Sequence, residues 1–371
     1  MGLSPEYFPE TPAADKVKAK EAIEKLSLFK NRFDPILSSF LEQEINDARE
    51  IRPELSELLT ASSEFVLRGG KRLRPAFMFY AYKAAGGENE EAILRSTICV
   101  ELVHTGALIH DDIIDNSDLR RSEPTMHRIF HSRLGEQQLG SSMAIVAGDT
   151  VLALAGKSLS TFPDSGERMK LARQYFDQMC IEISLGQYLD VLGNQTGNTD
   201  IDWVMKVMEF KTARYTVEKP LLIGGSLGGA KPDVLQALSN YAIPLGVVFQ
   251  IQDDVLGMFG DERKVGKPVD SDLKEGKKTL LVLKTLERLV ETGKREDIER
   301  FNQILGNPEL TSGDYHWVQE LMRGTGTLTY SRELAEELIS KAKSALGGVE
   351  ISEEARDYLL GIADFMLERE Y

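Results

Sequence analysis

Apolar residues recur at roughly helical spacing along most of the chain. Between residues 33 and 67 they include Ile36, Phe40 and Ile51, and Pro53 is expected to divide this stretch into two helices because proline breaks a helix interior. Pro75 suits the first turn of another helix. The same pattern predicts helices over 14–28, 90–116, 123–140, 141–159, 165–192, 200–211, 216–228, 233–259, 270–291, 327–346 and 352–369.

Strand signals are weak, since no Asn-Gly or Asp-Gly pair lies between two alternating runs. Several helical stretches are long and apolar over wide faces, which is expected when helices surround a buried centre. No repeat and no low-complexity linker divides the chain. We therefore predict an all-α fold, with an irregular N-terminal extension over residues 1–13 and a single all-α domain over 14–371.

Composition and charge exclude several classes of protein. The chain has 371 residues and a formal net charge of −15, from 44 Lys and Arg against 59 Asp and Glu. This acidic balance argues against nucleic acid or an anionic membrane as a partner. Cys99 and Cys180 are too few for a disulfide scaffold. Because neither a secretory signal nor a fully apolar run of 18 residues is visible, we expect a cytoplasmic protein with no integral membrane segment.

The first candidate site is the acidic motif in HTGALIHDDIIDNSDLRR, residues 104–121. On a helix, Asp111 and Asp115 are neighbours one turn apart, Asp118 is expected one turn further, and Asp112 lies about 100° round the axis. Stacked carboxylates repel one another, and Mg²⁺ bound together with phosphate oxygens would compensate for that repulsion. A solvated acidic helix end is the alternative, but the apolar neighbours and the Arg120-Arg121 pair argue against it.

A second acidic pair, Asp253-Asp254, lies in the apolar helical run of FQIQDDVLGMFGDERKVGKP, residues 249–268. One Asp-Asp pair is weak by itself. Two such pairs, each on a hydrophobic helix, suggest carboxylate clusters that face each other and hold metal ions on one diphosphate.

The third candidate is the basic turn LRGGKRLRP, residues 67–75. Arg68, Lys71, Arg72 and Arg74 surround a glycine pair that lets the backbone approach an anion closely. An exposed turn with no ligand is the alternative. In an acidic protein, however, this cationic cluster before a helix start is a candidate diphosphate site.

These segments, in this order, resemble the trans-isoprenyl diphosphate synthases. The resemblance covers about residues 35–345 and rests on GGKRLRP, DDIIDNSDLRR, the lysine-threonine pair of EFKTARYT, and FQIQDD followed by GKPVDSDLKEGKKT. It implies the isoprenoid synthase fold, with helices around a central cavity, and a Mg²⁺-dependent prenyltransferase that joins isopentenyl diphosphate to an allylic diphosphate. It also implies a homodimer.

The resemblance assigns a role to each candidate residue. Metal would be held, as three Mg²⁺ ions, by Asp111, Asp112 and Asp115 on one wall and Asp253 and Asp254 on the other. The allylic diphosphate would contact Arg120, Lys211, Lys267 and Lys277, and the isopentenyl diphosphate would contact Lys71, Arg74, His104 and Arg121. Lys211, Thr212 and Gln250 are the candidate catalytic residues, the last two facing the reacting carbons.

Two features bear on metal binding and product length. Gly257 stands where many members of the family have a third aspartate, so we expect altered metal affinity without loss of activity, with Asp261 one turn beyond. Gly106 and Ala107, one turn before the first motif, are small where farnesyl synthases usually have an aromatic residue. Geranylgeranyl diphosphate is therefore the expected product, ahead of longer polyprenyl diphosphates and of farnesyl diphosphate, although small residues could simply allow close helix packing.

Two other functions share parts of this pattern. A terpene cyclase would share the fold and an aspartate motif, but it would have no use for the basic turn or for His104. A regulatory subunit would be expected to lose its acidic motifs, and here the first motif is complete.

Overall fold

The computed structural model describes residues 13–197, 199–260 and 271–368. Its elements are α1 (Ala13–Ile51), α2 (Leu55–Leu67), α3 (Leu73–Ala84), α4 (Glu90–Ser96), α5 (Ile98–Ile114), β1 (Leu119–Arg120), β2 (Glu123–Pro124), α6 (Met126–Leu134), α7 (Gln137–Leu159), α8 (Glu167–Thr196) and α9 (Ile201–Val207). A π-helix (Met208–Glu218) leads into α10 (Lys219–Gly228), α11 (Pro232–Phe259), α12 (Ser271–Lys274), α13 (Leu280–Glu291), α14 (Arg295–Ile304), α15 (Ser312–Gly324), α16 (Thr327–Ala345) and α17 (Glu353–Glu368). The predicted all-α class is confirmed.

The longest helix, α1, shows how the apolar spacing determines the fold. Phe29, Phe33, Leu37 and Leu41 recur every four residues and are buried, because positions four apart lie on the same face of a helix. That face packs against α2 and α17. The helix ends at Ile51, just before Pro53, so the predicted break is confirmed.

Two buried clusters of apolar side chains lie on either side of the central helices. The larger cluster joins α1, α3, α5, α7, α8, α10, α17 and the first half of α11. The smaller one joins α9, the second half of α11 and helices α13 to α16. The division into an extension and one domain stays a prediction, and residues 1–12 lie outside the described residues.

Several predicted boundaries are wrong. Residues 14–28 and the stretch from 33 onward form one continuous helix, whereas residues 90–116 divide into α4 and α5. Residues 123–140 hold strand β2, α6 and the start of α7, and residues 270–291 hold α12 and α13. Helices α14 and α15 were not predicted.

Three segments of the described residues have the length and apolar composition of a membrane-spanning helix: Glu90–Ile114, Gln137–Leu159 and Pro232–Phe259. In each segment, the percentages refer to an apolar window of 18 residues. The protein buries 72% of this window in the first segment and 67% in the third, but only 39% in the second. The absence of an integral membrane segment therefore stays a prediction, and α7 stands out as an apolar helix with a large exposed face.

Candidate active site

The acidic motif lies at the C-terminal end of α5, where the helix dipole disfavours negative charge. Cationic and amide groups from three other elements offset this. Lys211 Nζ lies 3.2 Å from Asp111 Oδ1, to which Gln187 Nε2 donates at 2.9 Å. Arg120 Nε donates to the fully buried Asp112 at 2.7 Å. Burial disfavours the Asp111 carboxylate, but Lys211 and Arg120 outweigh it and lower its pKa.

Beyond Asp115 the chain leaves the helix and forms a short hairpin from strands β1 and β2, which have two residues each. Arg121 and Ser122 occupy its turn with φ values of 55° and 63°, the left-handed region that most side chains avoid. Asp118 was expected to continue the row of aspartates along the helix. It does not do so, and it pairs with Arg128 instead. The hairpin directs Arg120 to the acidic motif, while Arg121 donates to the carbonyl oxygen of Gly69 in the basic turn.

The opposite wall is carried by α11. Thr212 Oγ1 donates to Gln250 Oε1 at 2.8 Å, and Gln250 Nε2 donates to Asp254 at 2.8 Å, so a chain of hydrogen bonds joins the π-helix to the second acidic pair. Asp254 is buried, and this burial raises its pKa to about 7, with Asp272 and Asp253 adding to the effect against Lys277 and Gln250. Asp253 is half-buried beside it.

The basic turn faces a network of buried polar groups. Arg74 donates to the Tyr215 hydroxyl at 2.6 Å and to Thr216 Oγ1 at 2.9 Å. His104 Nδ1 lies 3.1 Å from the same hydroxyl. Burial first, and then Arg74 and the neighbouring arginines, lower the pKa of His104 well below its usual value, so the imidazole is neutral. If the Tyr215 hydroxyl donates to Nδ1, the imidazole proton lies on Nε2.

A small cavity lies between the turn, α5 and the hairpin. Its lining includes Arg68, Gly69, His104, Arg120 and Arg121. The ammonium of Lys71 lies 5.6 Å from the centre of the Phe365 ring on α17. The structure thus brings Arg68 and Gly69 of the basic turn, His104 and both hairpin arginines together.

Two site residues on α8 were missed. Besides Gln187, Asp190 Oδ2 lies 2.6 Å from Lys211 Nζ, so this ammonium bridges Asp111 and Asp190. Helix α8 can approach the π-helix because Gly186 has no side chain. A Cβ at this position would lie 2.5 Å from the backbone nitrogen of Lys211. The signal in the sequence was a glycine inside a long helix, followed directly by Gln187 and three residues later by Asp190.

Mg²⁺ fits the donor atoms of these walls, which are carboxylate oxygens. Partial burial and the neighbouring Asp111 raise the pKa of Asp115 to about 6, a crowding of negative charge that a bound cation would relieve. Within the described residues, no three Asp, Glu, His or Cys side chains are arranged so that they alone could hold a metal ion. A bound diphosphate can supply further oxygen ligands.

The remaining candidates are placed as follows. Lys277 lies close to Asp272 and Asp254, which raise its pKa although burial opposes this. At Gly257, a Cβ would lie 3.1 Å from Asp272 Oδ2, so a carboxylate from α12 stands beside the position that lacks the third aspartate. Lys267 and Asp261 lie outside the described residues.

The two small residues of α5 differ in their surroundings. Gly106 is buried at the crossing with α7, where a Cβ would lie 2.8 Å from Leu152 Cγ, so packing alone requires glycine there. Ala107 is half-buried. Their effect on product length stays a prediction, as do the roles assigned to the other site residues.

Comparison with known proteins gives concordant results. The sequence profile described as Polyprenyl synthetase matches residues 56–322. The chain is 35% identical over 335 residues to the geranylgeranyl diphosphate synthase of Methanosarcina mazei, covering 90% of this chain and 96% of that relative. It is 31% identical over 334 residues to the geranylfarnesyl diphosphate synthase of Aeropyrum pernix, covering 89% and 99%.

Among solved structures, a similar one is the geranylgeranyl pyrophosphate synthase from Corynebacterium glutamicum, complexed with isoprenyl diphosphate and magnesium. Its TM-score is 0.85 at 32% sequence identity, and the match covers 92% of this chain and 98% of that one.

Proposed function

This chain belongs to the polyprenyl synthetase family, and we propose that it condenses isopentenyl diphosphate with an allylic diphosphate, with geranylgeranyl diphosphate as its main product. One observation carries the proposal. Arg120 and Arg121 are adjacent on the hairpin, yet Arg120 contacts the acidic motif and Arg121 contacts the basic turn. This arrangement supports two adjacent anion sites that share the hairpin, as a reaction between two diphosphate esters requires.

The first site would ionise the allylic diphosphate. Asp111, Asp112 and Asp115 on α5, with Asp253 and Asp254 on α11, would hold Mg²⁺, and we propose three ions. Bound Mg²⁺ supplies positive charge that stabilises the departing diphosphate. Arg120, Lys211, Lys267 and Lys277 would add cationic contacts, and the bridge from Lys211 to Asp111 and Asp190 fixes that ammonium before the substrate binds.

The second site would hold isopentenyl diphosphate. Lys71, Arg74 and Arg121 supply positive charge, and neutral His104 can donate a hydrogen bond from Nε2 without placing a further charge among the arginines. The double bond of isopentenyl diphosphate then attacks the allylic cation, and a proton leaves to the departed diphosphate. The hydrogen-bonded oxygens of Thr212 and Gln250 would stabilise the cation without capturing it.

The product length follows from the small residues of α5. Ala107, a small residue one helical turn before the acidic motif, would leave room for a prenyl chain longer by about 5.4 Å, or one isoprene unit. The relatives named as geranylgeranyl diphosphate synthases support a C20 product, whereas the one named as a geranylfarnesyl diphosphate synthase supports the longer alternative.

The direct test supplies purified protein with isopentenyl diphosphate and one allylic primer at a time, followed by chromatography of the products. We expect the C20 diphosphate to dominate from each primer. Products stopping at C15 or continuing well past C20 would overturn the product assignment. Release of hydrocarbon would indicate a terpene cyclase, and activity only with an added partner would indicate a regulatory subunit.

We also propose that the protein is a cytoplasmic homodimer. Apolar side chains on α7 and α8 are more than a third exposed: Leu139, Ile145, Val146, Ile181, Leu185 and Tyr188. A second copy would cover them, because monomers rarely expose a large apolar patch. Light scattering should give about twice the chain mass of 41.4 kDa, and Leu185→Glu should return the monomer mass. A wild-type mass of one chain would refute the dimer.

A further inference from the structure

Arg72 lies between Lys71 and Arg74 in the basic turn but points the opposite way. It precedes α3 with φ 55°, a conformation that a residue with a side chain adopts only when its surroundings impose it. Its side chain is 2% exposed. Arg72 therefore does not line the cavity, and its hydrogen bonds are made to other parts of the fold.

Those contacts join three elements. Arg72 Nε donates to Asp34 of α1 at 2.9 Å, and Nη1 donates to Glu101 of α5 at 2.5 Å. The guanidinium also contacts the carbonyl oxygen of Val66 at the end of α2. The Glu101 side chain is 7% exposed, so both charges are satisfied mainly by one another.

The ion pair connects the two halves of the proposed isopentenyl diphosphate site. Glu101 lies one turn before His104 on α5, and Arg72 lies beside Lys71 and two residues before Arg74. A planar guanidinium can bind two carboxylates and a carbonyl oxygen at once, which an ammonium cannot do with fixed geometry. The separation between the basic turn and His104 therefore depends on this buried pair.

We infer that Arg72 is a positioning residue, which through Glu101 and Asp34 holds the basic turn at the distance from α5 that binds the diphosphate of isopentenyl diphosphate. The inference rests on the proposed function. It predicts a selective effect: loss of the pair weakens binding of isopentenyl diphosphate while the allylic site, held by Lys211 and Arg120, is unchanged.

The test replaces the pair by apolar residues in the double variant Arg72→Met/Glu101→Leu, because a buried apolar pair can retain stability that the removal of one charge would lose. Since Glu101 also lines the cavity, the Asp34→Asn variant separates positioning from a change of the lining. We expect KM for isopentenyl diphosphate to rise about tenfold to a hundredfold. KM for the allylic substrate and kcat should stay within about twofold. An unchanged KM for isopentenyl diphosphate, or an equal rise for both substrates, would overturn the inference.

Two further variants keep the test decisive if the double variant does not fold. Asp34→Asn leaves the cavity lining intact and should raise the same KM by a smaller factor of about threefold. Arg72→Lys should give an intermediate rise in KM for isopentenyl diphosphate, since the positive charge remains but the planar guanidinium with its several donors is lost. A normal KM in both would refute positioning by Arg72.

A control away from the site is the pair of Lys157 and Glu44, which joins α7 to α1 at 2.6 Å, with the Lys157 side chain half-exposed and Glu44 buried. Lys157→Met/Glu44→Leu should lower the melting temperature at most, with both KM values unchanged. If wild-type protein forms no elongated product at all, the proposed function fails. If wild type elongates normally and only the predicted selectivity is absent, the positioning role alone fails.

Discussion

The two acidic walls of the site differ in how they carry negative charge. On α5, Asp111 is held by Lys211, Gln187 and Arg120, and its pKa is lowered, so this carboxylate is ionised before any metal binds. On α11, Asp254 is buried against Gln250 and its pKa is raised to about 7. Each wall carries an Asp-Asp pair. The pair on α5 provides a preformed anion at Asp111, whereas the pair on α11 provides, at Asp254, a carboxyl that ionises fully only beside a cation.

The largest expected effect is that of Asp111→Asn. It removes the carboxylate to which Lys211, Gln187 and Arg120 are anchored, and we expect kcat to fall about a thousandfold. Single-turnover kinetics with saturating substrates measure this. Asp118→Asn is the control, because Asp118 pairs with Arg128 outside the site, and its rate should be normal.

Asp254→Asn should cost much less, about tenfold in kcat. An asparagine resembles the protonated carboxyl that already hydrogen-bonds Gln250, so most of the arrangement on α11 survives. Both variants should be measured under the same conditions. An equal loss of kcat in Asp254→Asn and Asp111→Asn would contradict the distinction between the walls.

The difference should also appear as a pH dependence of metal binding. Because the pKa of Asp254 is raised in the folded protein, its proton stabilises the metal-free state at low pH, and this stabilisation is lost as pH rises through about 7. Mg²⁺ must displace that proton. Calorimetry with inorganic diphosphate should show affinity rising up to about tenfold from pH 6 to pH 8.

In Asp254→Asn the same titration should keep only the slope that inorganic diphosphate contributes by losing a proton of its own in this pH range. The full wild-type slope in this variant would place the linked proton on another residue, such as Asp115, whose pKa is raised to about 6.

Ala107→Phe tests whether the growing prenyl chain runs along α5. An aromatic ring should fill the space one turn before Asp111, so the main product should shorten by about one isoprene unit, from C20 to C15. Chromatography of the dephosphorylated products measures this, and Ala107→Ser is the control of similar size. Unchanged product length in the phenylalanine variant would place the tunnel elsewhere.

The smallest effect is expected at Gly257. Gly257→Asp would add a carboxylate beside Asp272, and the extra ligand should raise Mg²⁺ affinity about threefold in the presence of diphosphate. Repulsion between the two carboxylates should lower the stability of the metal-free protein. Gly257→Asn has the same size without the charge, so a similar gain in affinity there would argue against metal ligation at this position.

The sequence predicted the helices and the motifs that depend on local spacing. The break at Pro53, the helix beginning near Pro75 and the clustering of basic residues at 67–75 all follow from residue type and position. The capping box of Thr311 and Asp314, which begins α15, could also have been recognised from sequence.

Contacts between distant segments could not be predicted in this way. The hairpin turn uses Arg121 and Ser122 in place of the Asn-Gly that normally signals positive φ, and it is held by Gly69 from another segment. Gln187 and Asp190 become site residues only because α8 packs closely on the π-helix at Gly186. The spacing of apolar residues in so short a segment does not distinguish a π-helix from an α-helix.

The central claim is that two adjacent anion sites elongate a prenyl chain with Mg²⁺. The most direct measurement follows labelled isopentenyl diphosphate in the presence of farnesyl diphosphate, first with a chelator and then after Mg²⁺ is restored. The account predicts no product with the chelator and a C20 diphosphate once the metal is returned. Elongation that persists with the chelator, or no elongation with Mg²⁺, would contradict it.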